Sequence, residues 1–117
     1  MVGKPLSVGI RSAVAADVEA IAVVHCRAAL VGFPEIFPPT ATKPTPASLR
    51  SRWHELVTDP VASVFVAETT SVVGCVVVRE EPTVPSGVLL DRLYIEPDWW
   101  GNGVGSLLRA CQVLCVR

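Results

Sequence analysis

Gly101, Gly103 and Gly105 stand at alternate positions just ahead of a run with helical periodicity. Val104, Leu107, Leu108, Cys111, Leu114 and Cys115 fall at i, i+3, i+4, i+7, i+10 and i+11, which is one apolar helix face. The first N–H groups of a helix have no partner within it, and the macrodipole places partial positive charge at that end. Glycines ahead of such an end let a bulky anion approach the backbone, so the natural guest is a phosphate or pyrophosphate. A Walker loop is excluded, because no lysine follows Gly105. The dinucleotide fingerprint is excluded too: the spacing is Gly-x-Gly-x-Gly-Ser, with no second strand carrying an acidic residue about twenty residues on.

The element ahead of the glycines is a strand. Val88, Leu89, Leu90, Leu93, Tyr94 and Ile95 suit a largely buried pleated surface, and Pro97 stops it because proline cannot donate to a ladder. Upstream, Val8 to Arg11 reads as a short strand. Ser12 to Ala16 leads into a helix that runs to about Leu30, with Val18, Ile21, Ala22, His25, Ala28 and Ala29 on one face. The prolines between Phe33 and Pro46 exclude a regular helix there. Thr45-Pro46 is an N-cap followed by proline at the first helical position. Leu49, Trp53, Leu56 and Val57 carry that second helix to about Thr58, with Arg50, Arg52 and His54 on its solvated face. Ala62 to Glu68 and Val72 to Arg79 are two strands joined by the tight turn Thr69–Ser71, an antiparallel hairpin. The order is β-α-α-β-β-β-α: an α+β layered fold with a mainly antiparallel central sheet and helices on both faces, expected as a single domain over residues 1–117.

The strand, proline and glycine loop resemble the signature of the GNAT superfamily of acyl-CoA-dependent N-acetyltransferases. Leu93-Tyr94-Ile95-Glu96-Pro97 and Trp100-Gly101-Asn102-Gly103-Val104-Gly105 occupy its central motif. Trp100 stands where that family usually has Arg or Gln. Ile10-Arg11 with the following helix, and the hairpin strands, resemble the family's first strand, first helix and second and third strands. The resemblance implies acetyl-CoA as acyl donor, no metal, and transfer to a primary amine of a small molecule or peptide by direct attack in a ternary complex. It implies that the backbone of Leu93 and Ile95 bonds the pantetheine arm, and that Trp100 to Ser106 surround the pyrophosphate. It places the loop between the first two helices, with Phe33, Glu35 and Phe37, on the acceptor side. It also implies that the chain holds the first part of the fold, the family's later strand and helix being absent.

Transfer of an acetyl group to an amine needs a base, and Asp91 and Glu96 are the nearest carboxylates on the strand, with Glu35 and Glu68 further off. Asp91, Leu93 and Ile95 share a face if the strand is regular; a bulge changes that parity and frees backbone groups from the ladder. The family's acid is a tyrosine beyond the residues present, and Tyr94, the one tyrosine here, lies on a different element, so no acid is assigned. His25 reads as a buried or half-buried helix residue.

Composition bounds the alternatives. Half the residues are hydrophobic and the formal net charge is −1, so a packed core is expected and no basic patch points to nucleic acid. No apolar run is long enough to span a bilayer and the first residues lack a signal-peptide block, so a cytoplasmic location is expected. Cys26, Cys75, Cys111 and Cys115 lack Cys-x-x-Cys spacing and read as small core residues. A second reading is a catalytically inactive fragment of the same fold, a binding module or a homodimer formed through an exposed sheet edge.

Overall fold

The computed structural model describes residues 7–32, 43–85 and 87–110. The chain order is β1 (Gly9–Ser12), α1 (Val18–Gly32), α2 (Pro46–Thr58), β2 (Ala62–Glu68), β3 (Val72–Glu80), β4 (Val88–Ile95) and α3 (Val104–Arg109). The expected order and types of elements are all present. Several boundaries differ by a residue or two: β1 ends at Ser12, α1 reaches Gly32 and β3 reaches Glu80. The first strand starts at Gly9, and a 3-10 turn over Ala15–Asp17 precedes α1. That turn forms because Asp17 Oδ2 accepts the Val14 N–H at 2.8 Å, fixing the backbone one turn early. Thr45 caps α2 as its sequence indicates: its hydroxyl accepts from Ser48 N–H at 3.1 Å, and Ser48 Oγ accepts from Thr45 N–H at 2.9 Å.

The four strands form one antiparallel meander in the order β1-β2-β3-β4. Each face carries its own apolar layer. Val64, Val66, Cys75 and Val77 turn toward α1 and α2, where they meet Ile21, Ala22, Trp53 and Leu56. Ala67, Val76 and Val78 turn the other way, with Val104 and Leu108 of α3. Of the residues assigned to the apolar face of α3, Val104 and Leu108 are buried but Leu107 is 45% exposed. The helix therefore meets the sheet along a narrower stripe than its spacing indicates; Cys111, Leu114 and Cys115 lie outside the described residues, as do Phe33, Glu35 and Phe37.

Arg11 ties the sheet to the start of α1. Its guanidinium donates to both oxygens of Asp17 at 2.8 Å, and to both oxygens of Glu68 on β2 at 3.0 and 3.1 Å. The bidentate arginine holds the buried Asp17 carboxyl below the usual carboxylate range, against the opposing effect of burial.

Strand β4 contains one residue more than β3 can pair. Val77 faces Arg92 while Val78 faces Leu90, so Asp91 is an unpaired β-bulge. The bulge reverses the alternation of side chains. Leu90 before it and Leu93 and Ile95 after it all pack on the α3 face, while Tyr94 packs on the α1–α2 face. In a regular strand Leu90 and Leu93 would point to opposite faces.

Gly74 of β3 is needed for close packing. A Cβ there would lie 3.0 Å from Leu108 Cδ1 and 3.3 Å from both Val104 Cγ1 and the Tyr94 carbonyl oxygen. Gly74→Ala is expected to destabilise the fold by about 1–3 kcal/mol, the cost of overpacking a close-packed layer, measured as a lower urea midpoint with unchanged slope.

Candidate active site at the free edge of β4

The end of β4 has an unpaired edge among the described residues, and the ladder shows what that edge offers. Glu96 N–H donates to the Val73 carbonyl at 2.8 Å. Backbone groups in an antiparallel strand alternate in direction, so those of Tyr94 face β3 and those of Leu93 and Ile95 face outward. One of the outward groups is already engaged: the Ile95 carbonyl accepts from Trp100 Nε1 at 2.8 Å. The Trp100 ring folds back against the end of α1, where a Cβ on Gly32 would stand 3.4 Å from its Cη2 atom. Leu93, Tyr94, Ile95 and Trp100 together with Ala28 and Gly32 line a cleft of about 210 Å³.

Pro97–Trp99 makes one 3-10 turn that carries the chain from β4 to the glycine loop. Gly101 and Gly103 both have φ of +81°, a left-handed conformation that disfavours side chains, and a Cβ on either would meet nothing within 4 Å. Gly105 is different. Its backbone is ordinary, and a Cβ there would touch only Ile95 Cδ1, at 4.0 Å. Neither conformation nor crowding within the described chain calls for glycine at 105. Gly103 precedes α3 without any side-chain cap, and the first bond into the helix runs from Leu107 N–H to Gly103 O at 3.2 Å. Val104, Gly105 and Ser106 therefore present N–H groups for which the described residues supply no acceptor.

The two carboxylates proposed from sequence, Asp91 within β4 and Glu96 just past its end, are differently held. Asp91, at the bulge, accepts from Arg79 Nε at 3.0 Å and lies 3.8 Å from Arg92 Nε. Arg79 also reaches Asp59 at the end of α2, 3.5 Å away. Glu96 lies further along, and its Oε1 accepts from Arg27 of α1 at 2.7 Å, with Asp98 3.9 Å from the same guanidinium. The more distant carboxylate, Glu68, is held by Arg11, which lowers its pKa.

Three aromatic rings meet on the α1–α2 face of β4. His25 stacks on Tyr94 with centroids 4.0 Å apart, and Trp53 Nε1 donates to His25 Nδ1 at 3.0 Å. The indole is a donor only, so the imidazole accepts at Nδ1 and its neutral form keeps the proton on Nε2. Arg92, next to Tyr94 on β4, acts on the same ring: burial first, then the Arg92 charge, pushes the His25 pKa down. Sequence spacing placed His25 on the buried side of α1 and gave no sign of its indole partner, which comes from α2. Arg92 is the other residue missed. The sign available was Asp91-Arg92, two consecutive polar residues that interrupt an apolar strand and mark the bulge.

The model of the acetyltransferase (GNAT) family matches residues 30–112. Among solved structures, this chain is similar to a ribosomal-protein-alanine N-acetyltransferase from Brucella melitensis biovar Abortus 2308, with TM-score 0.65 and 19% identity over 92% of this chain and 69% of that one. It is similar to a possible acetyltransferase from Clostridium difficile 630, with TM-score 0.69 and 16% identity over 92% of this chain and 70% of that one. A third is PaiA N-acetyltransferase from Thermoplasma acidophilum in complex with coenzyme A, with TM-score 0.67 and 16% identity over 90% of this chain and 69% of that one. Identities this low establish a shared fold. No curated protein sequence matches the chain.

The histidine gives a signed pH dependence. Its pKa is lowered in the folded state from 6.5, so the unfolded chain holds the extra proton. The stability that His25 contributes is complete above pH of about 6.5 and declines as pH falls from there toward its folded value. Urea unfolding of the wild type and of His25→Gln across that interval checks this; the variant is expected to show a shallower loss on acidification.

Proposed function

The chain belongs to the acetyltransferase (GNAT) family, and from that premise we propose that it transfers an acetyl group from acetyl-CoA to a primary amine in a ternary complex. The observation that carries the proposal is the outward direction of the Leu93 and Ile95 backbone beside helix-start amides that have no acceptor among the described residues. The two sets of groups match the two polar parts of the donor. The pantetheine arm contains amides that can pair with Leu93 and Ile95 as an added strand would. The pyrophosphate is an anion suited to the amides of Val104, Gly105 and Ser106, with Gly101, Asn102 and Gly103 shaping the approach. A glycine at 105 that the fold itself does not require is explained when a ligand lies against the backbone. The coenzyme A bound to the similar PaiA N-acetyltransferase supports the same donor here.

In this reading the amine nitrogen attacks the thioester carbonyl. A C–N bond forms, the C–S bond breaks, and the sulfur leaves as a thiolate that takes up a proton. The protein contributes alignment, which converts a two-body encounter into a reaction within one complex. Asp91 removes the amine proton: the bulge turns it out of the ladder, beside Arg92. Glu96, held by Arg27, secures the end of β4 to α1 and remains the second candidate base. Phe33, Glu35 and Phe37, outside the described residues, are assigned to the acceptor side in this proposal by the family resemblance.

Trp100 has a specific role in this account. Its indole occupies the Ile95 carbonyl that the pantetheine arm would use, and it brings no charge to the pyrophosphate. Isothermal titration with acetyl-CoA tests the proposal. Wild type is expected to bind, Trp100→Arg to bind roughly tenfold more tightly through a charge-assisted contact, and Gly103→Ala to bind more weakly because alanine resists a φ of +81°. Absence of binding by both wild type and Trp100→Arg rejects the proposal. Asp91→Asn is expected to reduce kcat by about 100-fold while leaving the acetyl-CoA Kd unchanged, read from thiol release and titration.

A further inference from the structure

Arg92, beside the bulge, carries a donor that the described fold leaves unmatched. Its Nε is buried and makes no hydrogen bond. The nearest carboxylate oxygen, Asp91 Oδ2, is 3.8 Å away, beyond hydrogen-bonding range, and already accepts from Arg79 Nε at 3.0 Å. Every other ion-paired arginine among the described residues has a carboxylate oxygen at 3.4 Å or closer. An arginine with a buried, unmatched donor is costly to the fold, because desolvation is not repaid by a partner. The register sets where it points. Arg92 pairs with Val77, whose side chain lies on the α1–α2 face, so Arg92 projects to the side that holds His25 and Tyr94. The charge is felt there, since it contributes to the lowered His25 pKa. The Arg92 side chain as a whole is 30% exposed, and its strand β4 is an edge strand among the described residues.

We propose that Arg92 is a specificity residue that recognises a carboxylate on the acceptor, so that the preferred substrates are amines bearing a carboxylate, α-amino acids among them. The inference rests on the acetyl-transfer reading above and deepens it. Asp91 and Arg92 are adjacent in sequence and of opposite charge, and the bulge between paired positions sets both at the same point of β4. A zwitterion fits that pair: its ammonium goes to the carboxylate that is to deprotonate it, and its carboxylate goes to the guanidinium. Arginine is the side chain suited to this, because its fixed fork matches the two oxygens of a carboxylate.

The test uses L-amino acids, each paired with its own α-carboxamide, and follows thiol release from acetyl-CoA. The two members of a pair differ at the group Arg92 is to read. The amide's amino group is less basic and more often neutral, so intrinsic reactivity favours the amide. Wild type is expected to prefer the acid by roughly tenfold or more in kcat/KM, the scale of one charge-assisted hydrogen bond. Arg92→Gln is expected to raise KM for the acid until the preference disappears, with KM for the amide unchanged. Arg92→Lys, which retains charge without the fork, is expected to keep part of the preference. Titration with acetyl-CoA is run on the same proteins. Wild type that binds acetyl-CoA but treats acid and amide alike, prefers the amide or acetylates neither overturns this inference and leaves the donor site standing. An acid preference that survives in Arg92→Gln overturns it as well. Failure of both wild type and Trp100→Arg to bind acetyl-CoA overturns the proposed function and this inference together.

Discussion

One unpaired residue in β4 governs the geometry of the site. With Asp91 outside the ladder, the strand keeps an unbroken apolar layer against α3 and still delivers Arg92 and Tyr94 to the opposite face. A regular strand meets only one of those demands, because a single shift in register exchanges every side chain between faces. The bulge also fixes which backbone groups remain in the ladder. The Glu96–Val73 hydrogen bond sets the alternation from the far end, and Leu93 and Ile95 follow with their amides outward. Side-chain direction and free backbone groups are thus two consequences of one insertion.

The surrounding packing holds that insertion rigid. Trp53 and Leu56 of α2 and Ile21 and Ala22 of α1 press on one face of the sheet, and Val104 and Leu108 of α3 press on the other. Gly74 lets α3 come close to β3, so the glycine loop is brought up against the end of β4. His25 joins both long helices to the site strand, accepting from Trp53 and stacking on Tyr94. Arg27 adds a second link from α1 to Glu96, and Arg11 binds the first strand to the start of α1. The cleft beside Trp100 lies where these constraints converge, between the end of α1 and the edge of β4.

Much of this is legible in the amino-acid sequence because its determinants are local. Thr45-Pro46 states the start of α2, Asp59-Pro60 its end, and Pro97 the end of β4. The hairpin of β2 and β3 follows from two apolar runs and a short polar turn. The glycines at 101 and 103 do announce a special backbone, and both adopt positive φ. What is not legible depends on partners distant in the chain. Whether Asp91 is in or out of the ladder depends on register with β3. The Trp53–His25 hydrogen bond joins residues on two helices, and the Trp100–Ile95 bond requires the intervening 3-10 turn. Leu107 satisfies the helical spacing yet is exposed, because α3 sits on the sheet along Val104 and Leu108.

The central claim is that the donor lies along β4 as an added strand would, with its diphosphate at the start of α3. Amide chemical shifts followed by NMR during titration with acetyl-CoA test it most directly. The account predicts that the largest changes fall on Leu93, Ile95 and Gly101 through Ser106, with Tyr94 N–H, directed into the ladder, changing much less. Saturable binding that leaves the Leu93 and Ile95 amides unshifted and perturbs another part of the chain would contradict it.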